Sequence, residues 1–95
     1  MNVSIVRGGG IGGIATRTEL SSDALPEDAA RRLATLAAAV SPAEPTRGAG
    51  PDETLYRVTV DGVSATHTER ALPEPVRALI DFVRERPERR EALAR

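Results

Sequence analysis

From Asn2 to Arg7 the chain alternates weakly between hydrophobic and polar positions, with Val3 and Ile5 on one face, Ser4 on the other and Val6 breaking the order. A period of two predicts a strand. A second strand is predicted over Ile14–Leu20, where Ile14, Thr16, Thr18 and Leu20 oppose Arg17 and Glu19. Between the two lie residues 8–13, five of them glycine, a turn that takes positive φ without penalty. A hairpin with a long glycine tip follows. The period then changes. Ser21, Ser22 and Asp23 are turn and cap residues, Pro26 suits the first helical position, and Glu27 and Asp28 favour the positive end of a helix dipole. Leu33, Leu36, Ala37 and Val40 recur at helical spacing, which predicts a helix over Glu27–Val40.

Pro42, Pro45, Gly48, Gly50 and Pro51 exclude any periodic element between Ser41 and Glu53. A loop this long is mobile or functional. Strict alternation returns over Thr54–Val60, with Tyr56, Val58 and Val60 opposite Leu55, Arg57 and Thr59. Asp61-Gly62 signals a two-residue hairpin turn, and Val63–Arg70 completes the pair. Pro73 and Pro75 open a second helix with Val76, Leu79, Ile80, Phe82 and Val83 on its apolar side, and Pro87 ends it. Residues 87–95 read as a charged C-terminal tail, helical and frayed. The order ββαββα predicts an α+β fold in one domain over residues 1–95: a four-stranded antiparallel sheet of two hairpins, with two helices on one face.

Composition narrows the chemistry more than the fold. The chain has 95 residues, with Tyr56 and Phe82 its only aromatics, so the core is drawn from Val, Leu and Ile. All 13 basic residues are Arg, set against 14 acids for a net charge of −1. That balance argues against a nucleic-acid partner, which calls for a clustered basic excess. Arg without Lys beside so much Ala is first a mark of GC-rich coding. The absence of Cys excludes a disulfide framework, a zinc finger, an iron–sulfur site and a thiol nucleophile. No leader pattern opens the chain and no apolar run reaches the ~18 residues of a membrane span, so a cytoplasmic protein without membrane contact is expected.

The candidate motifs lead away from catalysis. Gly8-x-Gly10-x-x-Gly13 matches the dinucleotide-binding spacing, but a predicted strand follows it where that motif needs a helix N-terminus. His67 is the only histidine and sits on a predicted strand without a Ser-His-Asp arrangement or metal-ligand spacing around it. Glu27-Asp28 suits a helix start, Asp52-Glu53 a strand start, and Glu85 and Glu88 a solvated face shared with Arg84 and Arg89. Glu85, Glu88 and Glu91 interleave with Arg84, Arg86, Arg89, Arg90 and Arg95, a pattern typical of a salt-bridged helix. No catalytic residue, cofactor or metal is expected.

Arg7–Gly13 at the end of the first strand, Ala24-Leu25-Pro26 before an Ala/Leu helix, Tyr56-Arg57-Val58-Thr59-Val60, and Leu72-Pro73-Glu74-Pro75-Val76-Arg77-Ala78-Leu79-Ile80 occur in this order and spacing. Together they resemble the emfourin family, over roughly residues 2–84. The resemblance implies a small protein inhibitor of thermolysin-like metallopeptidases, of the protealysin type, acting in the cytoplasm as a ligand and not as an enzyme. Where relatives often carry an aromatic residue in the glycine loop, this chain has Ile11.

An inhibitor needs a rigid scaffold and an exposed segment fitted to a cleft. The glycine tip and the loop over residues 41–53 both qualify. The tip is the stronger candidate, because Ile11 is an apolar side chain held among glycines and thermolysin-like enzymes accept a bulky apolar side chain. Arg7, Gly9, Gly10, Ile11, Gly12 and Arg17 are therefore the candidate protease-binding residues, the two guanidiniums pairing with acids on a protease rim. The alternative is a small interaction or assembly module, dimeric through an exposed sheet edge and without a protease target.

Overall fold

The two alternating segments at the start of the chain pair with each other, and the first also pairs with the third. A computed structural model describes residues 1–9, 15–43 and 53–94. Strands β1 (Asn2–Gly9) and β2 (Ala15–Ser21) form the first hairpin, and β3 (Thr54–Val60) and β4 (Val63–Thr68) the second. Helix α1 (Glu27–Ala38) follows β2, helix α2 (Glu74–Glu85) follows β4, and a further strand β5 (Arg90–Ala94) follows α2. The sheet runs β4-β3-β1-β2-β5, antiparallel throughout.

β1 is the centre of the sheet. Val3 lies between Leu20 and Val60, Ile5 between Thr18 and Val58, and Arg7 between Thr16 and Tyr56. A period of two puts these residues on one face. That face meets the apolar stripes of both helices: Leu33 and Leu36 from α1 join Val76, Leu79, Ile80 and Val83 from α2 in one core with Val3, Ile5, Leu20, Tyr56 and Val58. Each Leu, Ile or Val fully removed from water there contributes about 1.5–3 kcal/mol. The other face, carrying Ser4, Val6, Arg17, Glu19, Arg57 and Thr59, has no helix on it.

The Asp61-Gly62 turn has φ of 47° and 89°, the pair of positive values a two-residue hairpin turn of this kind needs. Asp61 also fastens the turn to the start of β1. Its Oδ1 accepts from the Asn2 amide at 2.9 Å, and its own amide donates to the Asn2 carbonyl at 3.2 Å.

Strand β1 runs on through Gly8 and Gly9, expected to belong to the turn, because both pair with β3, and three later boundaries also differ from the pattern-based expectation. Helix α1 ends at Ala38, two residues before Val40, and Pro26 stands just before the helix with an extended ψ of 156°. Its carbonyl accepts from the Ala30 amide at 2.9 Å, the first bond of the helix. Strand β4 stops at Thr68, and Glu69–Ala71 form a single 3₁₀ turn into α2.

The third difference changes the architecture: the sheet has five strands, not four, and the charged tail is not a frayed helix. Pro87 stops α2, and the turn after it is held by charge. Arg86 Nε and Nη2 donate to the two carboxylate oxygens of Glu88 at 2.9 and 2.8 Å, and Arg89 Nη1 donates to the Arg86 carbonyl at 2.7 Å. The chain thereby reverses and lies along β2, Glu19 opposite Arg90 and Ala15 opposite Ala94. The backbone groups on that side of β2 supply the reason. An unpaired edge takes any extended segment within reach. The far edge is also partly covered, since the Thr66 amide of β4 donates to the Ala43 carbonyl at 2.9 Å.

Candidate functional site

Gly9 of the glycine-rich turn and Glu53 of the Pro/Gly-rich loop, far apart in sequence, meet at one end of the sheet. Gly9 ends β1 directly opposite Thr54, which begins β3. The approach is close: a Cβ on Gly9 would lie 2.5 Å from the carbonyl oxygen of Glu53, and Gly9 has φ of 97°. Only glycine meets both conditions, a positive φ and no side chain toward the neighbouring backbone. Gly9 and Glu53 border residues 10–14 and 44–52, respectively. Gly10, Ile11 and Gly12 thus lie outside the described residues, as does the middle of the second loop.

Arg7 and Arg17 flank the tip in sequence but stand on opposite faces. Arg7 shares the helix-bearing face with Val3 and Ile5; Arg17 is opposite Val6 on the open face. Arg7 is fixed by Tyr56, whose ring is buried in the core. Arg7 Nε donates to the Tyr56 hydroxyl at 3.1 Å, and the guanidinium carbon lies 6.0 Å from the ring centroid, at the outer limit of a cation–π contact. Arg17 is exposed, with Arg57 on the other side of Val6. The open face therefore carries two guanidiniums in one cross-strand row. Arg57 was not among the candidates; its position needs the β1–β3 register, which no single hairpin reveals.

The remaining chemistry-bearing residues serve the fold. His67 is half-buried on β4, in register with Tyr56. Among the described residues no group of three or more His, Asp or Glu side chains is arranged to hold a metal ion. The Glu88 carboxyl is held below the ordinary glutamate range, first by the hydrogen bonds from Arg86, and the Arg86 guanidinium is raised by the same pairing. A hollow of about 610 Å³ lies at the end of the sheet opposite the loops, beside Asn2, Ser21, Asp61 and Glu88. Two of its three acids are already engaged, Asp61 by the Asn2 amide and Glu88 by Arg86, and the third, Glu19, is exposed. No described helix is long and apolar enough to cross a membrane.

The fold is an α+β scaffold whose antiparallel sheet brings Gly9 of the glycine-rich turn and Glu53 of the Pro/Gly-rich loop together at one end. The emfourin family model matches residues 5–84, and the chain belongs to that family, an inhibitor family whose role implies a protease as partner. Comparison with curated proteins and with solved structures finds no match. Strand β5 lies beyond the matched residues.

Proposed function

We propose that the chain is a stoichiometric inhibitor of a thermolysin-like metallopeptidase and blocks the active-site cleft with the loop end of its sheet. The observation that carries this reading is the Gly9–Thr54 pairing, which sets Gly9 of the glycine tip beside Glu53 of the Pro/Gly loop on a paired central strand. β1 is hydrogen-bonded on both sides, so the loops stand on a support that resists deformation. A rigid support lowers the ordering cost of association. Two adjacent loops also offer more area than one toward the roughly 800 Å² per partner of a standard interface. Ile11 enters the cleft as the apolar anchor, with Gly9, Gly10 and Gly12 letting backbone approach backbone and Arg7 and Arg17 meeting acids to either side. The chain acts as a ligand and not as a catalyst, and the family resemblance supports the cytoplasm as its place of action.

The test is a titration of the chain into a thermolysin-like metallopeptidase. Loss of activity extrapolating to one inhibitor per enzyme supports the reading, and Ile11→Asp should then raise the inhibition constant by roughly 30-fold or more, the scale of a central anchor. Undiminished inhibition by Ile11→Asp rejects the tip as the contact. Absence of inhibition together with concentration-dependent self-association favours an assembly module built on a sheet edge.

A further inference from the structure

A cleft of about 420 Å³ opens on the helix-bearing face of the sheet, beside the loop end. Its volume falls in the range of about 300–1,000 Å³ typical of built binding pockets. Ile5 and the Tyr56 ring form its floor, Leu93 of β5 one wall, and Arg7 and Arg84 the rim. Neither guanidinium makes an ion pair among the described residues. The bond from Arg7 to Tyr56 uses Nε and leaves both Nη groups without a partner among those residues. The one acid lining the cleft, Glu91, is turned to other use, its Oε1 accepting from Arg89 Nε at 3.2 Å. The cleft therefore carries an uncompensated positive charge above an apolar floor. A further observation points to an occupant. Leu93 is 73% exposed and faces the same space.

We propose that this cleft seats an acidic–apolar pair of side chains from the partner protease. The carboxylate lies between Arg7 and Arg84, and the neighbouring apolar side chain rests on Leu93, Ile5 and Tyr56. Guanidinium and carboxylate match in charge and in planar, bidentate geometry. The cleft adjoins the loop end through Arg7, two residues before Gly9, so a protease covering the loops also covers it. This inference rests on the inhibitor reading and deepens it. It assigns a second contact to a side of the scaffold built in part by β5, outside the residues that the family model matches.

The experiment measures the inhibition constant of the full chain against a thermolysin-like metallopeptidase that the wild type inhibits, for Arg84→Glu, Leu93→Asp and the charge-matched control Arg77→Glu. Arg77 and Arg84 are both exposed on α2, so neither reversal strains the core. Arg84→Glu and Leu93→Asp should each weaken inhibition roughly 10-fold or more, on the scale of an interface anchor. Arg77→Glu should stay within about 2-fold of wild type, as a distant, screened charge does. Added salt should weaken wild-type inhibition more than that of Arg84→Glu. Circular dichroism and thermal unfolding of each variant report that the fold is retained. Wild-type inhibition by Arg84→Glu and Leu93→Asp overturns the cleft and leaves the inhibitor reading standing. Equal losses for Arg77→Glu and Arg84→Glu also overturn it, because a diffuse charge effect would then suffice. A wild-type chain that inhibits no such protease overturns the inhibitor reading and, with it, this occupant.

Discussion

Gly9→Ala tests whether the two loops are held together by the backbone itself. The wild-type residue has φ of 97°, and an added Cβ would sit 2.5 Å from the Glu53 carbonyl oxygen, nearly an ångström inside ordinary van der Waals contact. Two costs follow. Placing an L-residue in the left-handed region costs about 1–2 kcal/mol. Moving strand backbone to relieve the contact costs about 1–3 kcal/mol, as overpacking does. The structure supplies its own control. Gly62 has φ of 89°, but nothing lies within 4 Å of where its Cβ would be, so Gly62→Ala carries the conformational cost alone. For a chain of this size each kcal/mol lowers the melting temperature by roughly 4–8 °C. The melting temperature followed by circular dichroism should therefore fall by about 4–16 °C for Gly62→Ala and by roughly 8–40 °C for Gly9→Ala, the second always the larger. Equal losses would refute the reasoning, because the steric contact between the loop ends would then contribute nothing. A Gly9→Ala chain that still inhibits at full strength while losing the extra stability would separate the pairing from function.

Leu33 is completely buried under the sheet, and Leu33→Ala should cost about 3–4 kcal/mol with an unchanged denaturant slope; a loss below about 1.5 kcal/mol in urea unfolding would mean the site collapses around the cavity. Glu88→Gln removes the carboxylate that Arg86 grips. Because that carboxyl is held below its ordinary range, its contribution is present near neutral pH and is lost only as the pH falls through its own depressed value. Thermal unfolding across the acid range should show this limb in the wild type and a flatter one in Glu88→Gln, small in either case because the pair is near the surface.

Much of the sheet is legible in single segments, because Thr54–Val60 and Ile14–Leu20 alternate as strands with one buried face must. The helices are legible for the same reason, at their own period. β5 is not. Glu91-Ala92-Leu93 carries exposed residues with no buried face to mark a period of two, and Arg and Glu interleaved around it imitate a salt-bridged helix. Its cause lies elsewhere in the chain, in the open edge of β2 and in the Arg86–Glu88 turn that aims the segment at it. The candidate site divides in the same way. The glycine tip and the Pro/Gly loop are visible locally, but the meeting of Gly9 with Glu53 depends on β1 pairing with β3, a contact between residues far apart in sequence. Pleating explains the arginines. Arg7 continues the face of Val3 and Ile5, whereas the alternation along β2 already sets Arg17 on the other side, so residues that flank one turn cannot act as one clamp. Arg84 and Leu93 reach the cleft only after α2 and β5 are in place.

The sheet also gives the molecule a direction. Met1 is anchored to Ser22 at one end, its amino group donating to the serine hydroxyl at 3.1 Å, while Ala94 pairs with Ala15 beside the glycine tip at the other. The two ends of the described chain are therefore separated by about the length of a strand, roughly 25 Å for eight residues. A surface, label or fused domain attached at Met1 stands away from the end of the sheet where Gly9 meets Glu53, and so from the loops proposed to bind. The same attachment at Ala94 stands beside them and competes with whatever they meet.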